Sequence, residues 1–307
     1  MTPNSTKETK SVIHPDVDVV VVGSGAAGLC AALTANQAGA ERILVAEAED
    51  VVGGSSRLSG GLIMGAGTRY QAALGIEDSG AALFHDYLAV NRWNVDTGIV
   101  RELCEHSGRV VDWLGDLGVD FHDELVKASD ERTARVHVPK GAGQAIVDAL
   151  HRRCRECGVD IALGQRIDRL IADETGAVVG VAVGEDEITA GAVVIATGGF
   201  GNAPDKLAEH YPSAAAAEWT WYIGADGARG DAIDLGAQVD AQLTGHDSGL
   251  RLLDSGFDRD YEAFLPGWLV LVDAAGHRLA VVAVLGDAAP QKDHLFPLAV
   301  GQGAQLG

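Results

Sequence analysis

Cysteine is scarce in this chain of 307 residues, and its scarcity excludes one way of stabilising a fold. Four cysteines are too few for a disulfide scaffold at this length. Cys154 and Cys157 have the CxxC spacing, but no second pair exists to complete a zinc site, so we expect no metal. We interpret the pair as the end of an amphipathic helix over Ala145–Cys157, which Gly158 stops. The alternative is a redox pair.

Positive charge is also scarce. The chain has 23 lysines and arginines against 44 aspartates and glutamates, which gives a formal net charge of −21 with histidine neutral. A field of that sign repels phosphate backbones and anionic membranes, so we expect neither nucleic acid nor membrane as a partner. No stretch approaches the ~18 unbroken apolar residues of a membrane span, and residues 1–16 lack the apolar run of a signal peptide. We therefore expect a cytoplasmic protein with a disordered tail over residues 1–16.

Glycine and apolar residues are abundant, and the apolar fraction of 47% is typical of a globular chain with one large or two ordinary domains. Asp18–Val22 contains a continuous β-branched run, which is typical of a strand buried on both faces. This run leads into the glycine-rich segment Gly23–Gly28, then into a helix that ends near Ala38 and a second strand over Arg42–Ala46. The pattern predicts a βαβ unit whose two strands are parallel neighbours.

The rest of the chain up to about residue 200 alternates between helical and strand patterns. The best helix candidates are Leu83–Asn91, Ile99–Leu117 and Gly141–Cys157. The predicted strands are Ile161–Leu163, Asp168–Ala172, Val178–Val183, Glu187–Thr189 and Ala192–Ala196. The segments between Asp168 and Thr189 alternate as antiparallel strands do, so we expect a β-rich insertion there.

The glycine segment has the GxGxxG spacing in the context that a dinucleotide-binding turn requires. Gly23 permits the tight turn, Gly25 lets the backbone approach a pyrophosphate, and Gly28 lets the helix lie close to the strand. The start of the helix supplies unpaired N–H groups for the phosphates. Glu47 follows at the end of the second strand, where a carboxylate can accept hydrogen bonds from ribose hydroxyls and would repel the 2′-phosphate of NADP. The alternative is a Rossmann-like turn that binds no nucleotide.

A second glycine- and serine-rich segment, Gly53–Gly61, follows Glu47 and is called the flavin loop below. Its sequence GGSSRLSGG resembles a loop of the flavoprotein-subunit family of fumarate reductases and succinate dehydrogenases, which includes the 3-ketosteroid Δ1-dehydrogenases. In that family the loop encloses the flavin end of FAD. The resemblance therefore implies FAD rather than NAD, and an NAD-dependent dehydrogenase is the disfavoured alternative.

Three later segments resemble the same family. They are Arg135–Gly143, with its Pro-Lys-Gly run before a helix, the strand and ATGG-F-x-N run of Ala190–Asn202, and the Gly230-Asp231 pair, where Ala232 replaces a glycine. No histidine lies in the flavin loop where respiratory members attach the flavin covalently, so the resemblance implies non-covalent FAD. The cofactor-binding residues that it implies are Gly23, Gly25, Ala26, Ala27, Gly28, Glu47, Ala48, Gly54, Ser55, Ser56, Ser59, Gly60, Gly61, Ile167, Ala196, Thr197, Gly198 and Asp231.

The resemblance implies an α/β fold and a redox reaction at a carbon–carbon bond. The expected architecture is a Rossmann-like FAD-binding domain over residues 17–250 with a β-rich insertion, followed by the start of a capping domain over 251–278. The expected activity is hydride transfer to or from a CH–CH bond of a small molecule, and fumarate- or succinate-like dicarboxylates come slightly ahead of 3-ketosteroids. A different alternative is an FAD-binding remnant without activity.

The family pattern is lost after Arg278. Residues 279–307 match nothing in the family, and we expect a truncated or frameshifted product, with a naturally short variant as the alternative. We therefore expect a weakened fold with exposed apolar surface.

We assign no catalytic residue. His246 is interpreted as a solvated loop histidine, and Arg57 either places positive charge near the flavin or is solvated.

Overall fold

The computed structural model describes residues 15–127, 131–216 and 222–249. The predicted capping segment 251–278 and divergent tail 279–307 lie outside the described residues, as do residues 1–14 of the predicted tail. Within the described part, no helix combines the length and the apolar character needed to cross a bilayer.

The described residues form a sequence of alternating strands and helices. The strands are β1 (Val17–Val22), β2 (Ile43–Ala46), β3 (Ile63–Met64), β4 (Val136–His137), β5 (Asp160–Ala162), β6 (Arg169–Ala172), β7 (Val178–Val183) and β8 (Asp186–Ile195). The helices are α1 (Ala26–Gln37), α2 (Gly54–Leu58), α3 (Arg69–Ala73), α4 (Gly80–Val90), α5 (Thr97–Asp116), α6 (Ala142–Glu156), α7 (Pro204–His210), α8 (Pro212–Ala215) and α9 (Asp231–Ala237). The α/β class and the β-rich insertion predicted from the sequence are confirmed.

One six-stranded sheet organises these elements, in the order β5-β2-β1-β8-β7-β6. Strands β5, β2 and β1 are parallel, and so is the part of β8 beside β1, whereas β6, β7 and the first part of β8 form an antiparallel meander. The carboxyl ends of β1, β2 and β8 therefore lie side by side at one edge of the sheet, which is where open α/β sheets bind ligands.

The prediction of two separate strands over Glu187–Thr189 and Ala192–Ala196 is wrong, because all of these residues except Ala196 belong to the one ten-residue strand β8. Its residues up to Thr189 pair with β7, and those from Ala190 onward pair with β1. Gly191 lies inside this continuous strand. A continuous strand can change partner from an antiparallel to a parallel neighbour without a turn, because each neighbour uses only part of its length.

The strand β1 is buried by different clusters on its two faces. Val21 packs with Leu29 of α1 and Leu150 of α6, while Val20 packs with Leu235 of α9 on the other face. This arrangement follows from the period of two in a strand, and it confirms that the β-branched run is a strand covered on both sides.

Two residues that the sequence analysis assigns to the loose tail are held in place. Asp16 accepts hydrogen bonds from the backbone N–H (2.9 Å) and the hydroxyl (2.8 Å) of Thr189 on β8. The Arg42 side chain donates to the carbonyl oxygens of Pro15 and Asp16, both at 2.9 Å, and pairs with Asp18. Side chains distant in sequence therefore fasten residues 15 and 16 to the sheet.

The CxxC pair lies at the end of α6, as the sequence analysis favours. Cys154 is buried in the core and Cys157 is the C-cap residue, with Gly158 next in the left-handed conformation at φ +75°. All four cysteines are free thiols. Burial raises the pKa of Cys154 to about 12 and that of Cys30 to about 11, so neither thiol is a reactive thiolate at neutral pH.

Candidate active site

The turn between β1 and α1 brings the backbone close to the sheet. Gly23 has φ +104°, a conformation that side chains disfavour, and a Cβ on Gly28 would overlap the carbonyl oxygen of Gly23. Two of the three motif glycines are therefore required by the fold itself. Gly25 differs from them, because a Cβ there would lie 3.6 Å from Ser56 Oγ and 3.8 Å from the Gly53 carbonyl oxygen, which are ordinary contacts.

The N-terminus of α1 presents unpaired donors beside Gly25. Gly25 is the N-cap and provides no side-chain cap, and Ser56 Oγ accepts the Ala26 N–H at 3.1 Å. The N–H groups of Ala27 and Gly28 have no acceptor among the described residues. A twelve-residue helix with free N–H groups at its start favours an anion such as a phosphate.

Glu47 lies at the carboxyl end of β2 and is nearly buried, with 6% of its surface exposed. Its Oε2 accepts the Ser24 N–H at 2.8 Å and also the Ser24 hydroxyl, and its Oε1 accepts the Glu49 N–H at 2.9 Å. Because an ionised carboxylate offers about four lone-pair positions, capacity for one further donor remains. The carboxylate is thus held in one orientation at the strand end.

The flavin loop forms the short helix α2 and packs against the start of α6. Ser59 Oγ donates to the Ser56 carbonyl oxygen at 2.8 Å and accepts the Gly61 N–H at 3.2 Å. The Ser59 carbonyl oxygen accepts the Gly143 N–H at 2.9 Å. A Cβ on Gly61 would come within 2.6 Å of the Gly143 nitrogen, so this glycine serves the packing of the loop on α6.

A segment of which sequence reasoning singled out only Gly230 lies against the flavin loop. Residues 222–230, called the strap below, lead directly to the start of α9. Ser55 Oγ accepts the Ala225 N–H and lies 3.0 Å from the Tyr222 hydroxyl. Ser55, which the resemblance implies as a cofactor-binding residue, therefore also contacts the strap.

The end of β8 completes the edge next to the glycine turn. The Ala196 N–H donates to the Val22 carbonyl oxygen at 2.8 Å, and a Cβ on Gly23 would overlap the Ala196 carbonyl oxygen. Thr197 Oγ1 is buried and has no hydrogen-bond partner among the described residues. Gly198 follows in the left-handed conformation at φ +76°.

Asp231 begins α9, as predicted, and its carboxylate pairs with Arg166, with 2.6 Å between Nη1 and Oδ1. Burial raises the pKa of Asp231, while Arg166 lowers it and Asp234 adds a smaller rise. Ile167, beside Arg166, is 4% exposed and packs in the core cluster that contains Leu235. The Ile167 side chain is therefore part of the core that underlies the site.

The structure brings most of the predicted site residues together at the carboxyl ends of β1, β2 and β8. The glycine turn, Glu47 and Ala48, the flavin loop, residues 196–198 and Asp231 all lie at this edge or on segments that contact it. Sequence reasoning missed Glu49, Arg166 and Tyr222. Arg57 is half-buried and faces Glu49 at 3.6 Å instead of being solvated, while His246 is exposed, as expected.

A buried ion cluster lies apart from these residues. Arg135 is fully buried and donates to Asp78 and to Asp86, each at 2.6 Å. Arg132 also donates to Asp86, at 2.6 Å. Glu131 Oε1 lies 3.9 Å from Arg135, and its Oε2 is buried without a partner among the described residues. The arginine of the predicted Arg135–Gly143 segment therefore joins that segment to α4 and to the loop before α4.

Comparison with known proteins gives one consistent result. The family model described as FAD binding domain matches residues 18–250. A probable fumarate reductase, Ifc3, of Shewanella frigidimarina is 36% identical over 203 residues, 64% of this chain and 34% of that protein. The vinyl phenol reductase of Lactiplantibacillus plantarum is 33% identical over 256 residues, 80% of this chain and 50% of that protein.

Two solved structures of oxidoreductases are also similar to this chain. The open conformation of a flavocytochrome c3 fumarate reductase matches with a TM-score of 0.67 and 31% identity over 73% of this chain and 41% of that one. The 3-ketosteroid-Δ4-(5α)-dehydrogenase of Rhodococcus jostii matches with a TM-score of 0.65 and 27% identity over 76% of this chain and 56% of that one. The chain thus spans about a third to a half of the length of these curated relatives.

Proposed function

Because the chain belongs to the FAD-binding-domain family of flavoprotein oxidoreductases, we propose that it works as an FAD-dependent oxidoreductase on a CH–CH bond. The observation that carries the proposal is the start of α1, where Gly25 presents no side chain and the Ala27 and Gly28 N–H groups have no acceptor among the described residues. A bare backbone and those donors suit the diphosphate of a dinucleotide.

The residues at the sheet edge fit FAD. Free N–H groups at the start of α1 would hold the diphosphate, and the remaining acceptor capacity of Glu47 would serve a ribose hydroxyl. The buried, unpartnered Thr197 Oγ1 offers a further polar contact beside the glycine turn. The lack of a histidine in the flavin loop supports non-covalent binding.

FAD, when bound, supplies two-electron exchange with a carbon atom of the substrate. The described residues of this chain bind and orient the cofactor, and we assign none of them to the proton transfer that accompanies such exchange. The family resemblance and the matches to fumarate reductases support a small dicarboxylate as substrate. A nucleic acid or membrane partner is not proposed, and the cytoplasmic location stays a prediction from the sequence.

A second candidate is a 3-ketosteroid dehydrogenase-like activity. It is supported by the match to a 3-ketosteroid-Δ4-(5α)-dehydrogenase, which covers more of that structure than the fumarate reductase match covers of its own. Both candidates use the same edge of the sheet, at the carboxyl ends of β1, β2 and β8, which is called the cofactor edge below. They differ in the substrate that lies against it. Substrate turnover therefore decides between them.

The cofactor test uses Gly25→Ala. Its methyl group would meet only ordinary contacts in the fold but would occupy the approach of the diphosphate. We expect the unfolding temperature of the apoprotein to stay unchanged and the FAD dissociation constant to rise about tenfold or more, measured by flavin fluorescence titration. The matched control is Gly236→Ala near the end of α9 opposite Asp231, where the new Cβ would lie 3.4 Å from Ala241 Cβ.

The same preparations then test turnover. With FAD bound, we expect anaerobic oxidation of a reduced viologen with fumarate, and a 3-ketosteroid with an artificial electron acceptor tests the second candidate. Equal FAD affinity in the two glycine variants would contradict the assignment of the diphosphate to α1. Bound FAD without turnover of either class of substrate would show that the chain is an FAD-binding remnant.

A further inference from the structure

Glu49 lies between three segments at the cofactor edge. Its side chain is 16% exposed and follows β2 by three residues. Its Oε1 accepts the Gly227 N–H of the strap at 2.6 Å, and its Oε2 lies 3.6 Å from Arg57 Nη2 of the flavin loop. One carboxylate thus joins the loop after β2, the flavin loop and the strap.

Both backbone polar groups of Gly227 in the strap, the N–H and the carbonyl oxygen, are hydrogen-bonded to side chains. Glu49 accepts its N–H, and Arg166 Nη2 donates to its carbonyl oxygen at 3.4 Å. A Cβ on Gly227 would lie 3.0 Å from Glu49 Oε1, so a side chain at this position would crowd the carboxylate. Because Arg166 also pairs with Asp231, the position of Gly227 is coupled to that of the aspartate at the start of α9.

Charge balance at this edge depends on the same contacts. Glu47, Glu49 and Asp231 are three acidic side chains on segments that form or contact this edge, where the diphosphate, itself an anion, is proposed to bind. Arg57 lies against Glu49, and Arg166 lies against Asp231. Each arginine offsets the charge of one carboxylate, and the pairing reduces the repulsion that an incoming anion would meet.

We propose that Glu49 is a positioning residue for the FAD site. It acts through two other residues, holding the strap at Gly227 and orienting Arg57, and it need not touch the cofactor. The proposal rests on the FAD-dependent function, and it adds a residue that no motif of the family resemblance includes. The loss of Glu49 should loosen the strap and, through it, Asp231 and Ser55.

The test compares Glu49→Ala, which removes both contacts, with Glu49→Gln, whose amide oxygen can still accept the Gly227 N–H but no longer pairs with Arg57. We expect the FAD dissociation constant to rise about tenfold to a hundredfold in Glu49→Ala and less in Glu49→Gln, since hydrogen bonds to charged groups are the stronger ones. Glu41→Ala, at an exposed position before β2, is the control.

Two further readouts separate a positioning role from a general loss of structure. In Glu49→Ala, hydrogen exchange of the Gly227 amide should become faster in the apoprotein while exchange in β1 stays the same. Glu49→Gln combined with Arg57→Gln should weaken FAD binding by less than the sum of the two single effects, because the two residues share one contact.

The outcomes distinguish this proposal from the proposed function. If the unchanged protein binds FAD and Glu49→Ala binds it equally well, the positioning role is overturned. If the unchanged protein binds no FAD, the proposed function is wrong, and the exchange of the Gly227 amide still decides whether Glu49 holds the strap. Unchanged exchange in Glu49→Ala would overturn that role as well.

Discussion

Glu131 is a carboxylic acid in a cluster that already contains two better-placed carboxylates. Arg135 donates to Asp78 and Asp86, and these hydrogen bonds lower the pKa of both aspartates although burial alone would raise it. Glu131 receives no such bond, and burial raises its pKa to about 7, against a smaller lowering by Arg135. Lys127 also lowers its pKa. The hydrogen bonds from Arg135, which Asp78 and Asp86 receive and Glu131 does not, therefore decide which acid of the cluster titrates near neutrality.

The raised pKa of Glu131 predicts a pH dependence of stability. The folded protein keeps a proton that the unfolded chain releases above its ordinary pKa of 4.5, so stability from this group is full below pH 4.5 and is lost as pH rises to about 7. Glu131→Gln should remove this loss and raise the free energy of unfolding at pH 8 by on the order of 1–3 kcal/mol. Chemical unfolding at pH 5 and pH 8 measures it.

The control for this prediction is Glu124→Gln at an exposed position in the same region. It should leave the pH dependence as it is in the unchanged protein. If Glu131→Gln and the unchanged protein lose stability equally between pH 5 and pH 8, the proton is held elsewhere.

At the scale of the elements, β8 links the parallel and the antiparallel parts of the sheet. Periodicity predicted its two halves, because apolar runs and alternation are properties of neighbouring residues. Periodicity missed their continuity, because that depends on which strands lie beside β8. The antiparallel half pairs with β7 through Gly180, whose Cβ would overlap the Ile188 carbonyl oxygen.

Gly180→Ala should therefore weaken the junction between the meander and the parallel strands. The added methyl group cannot be accommodated without moving the β8 backbone, so we expect the free energy of unfolding to fall by about 1–3 kcal/mol. Thermal unfolding compares it with Gly236→Ala, where the contact is ordinary. An unchanged transition in Gly180→Ala would mean that β7 and β8 separate enough to hold a side chain.

At the scale of the whole molecule, the cofactor edge is assembled from segments that are far apart in the chain. The glycine turn, the end of β8 and the strap meet at one end of the sheet. A ligand that spans these segments binds the folded chain and not the unfolded one, so it should stabilise the whole molecule.

We expect FAD at a hundred times its dissociation constant to add about 2.7 kcal/mol to the free energy of unfolding. NAD at the same concentration should add less, because it shares the diphosphate and ribose contacts of α1 and Glu47 but makes no use of the flavin loop. Thermal unfolding with FAD, with NAD and with ADP makes the comparison. Stabilisation by NAD equal to that by FAD would favour the NAD-dependent alternative.

The sequence by itself determined the βαβ unit, the α/β class and the glycine turn, because these depend on local pattern and on backbone freedom at Gly23 and Gly28. Only the tertiary structure decided that Glu49 accepts the N–H of Gly227, 178 residues away, and that Arg166 pairs with Asp231, 65 residues away. Such contacts leave no periodic signal. They arise where separate loops meet at the sheet edge, and the physical reason is that partly buried charges and backbone groups there need partners, whatever their distance along the chain.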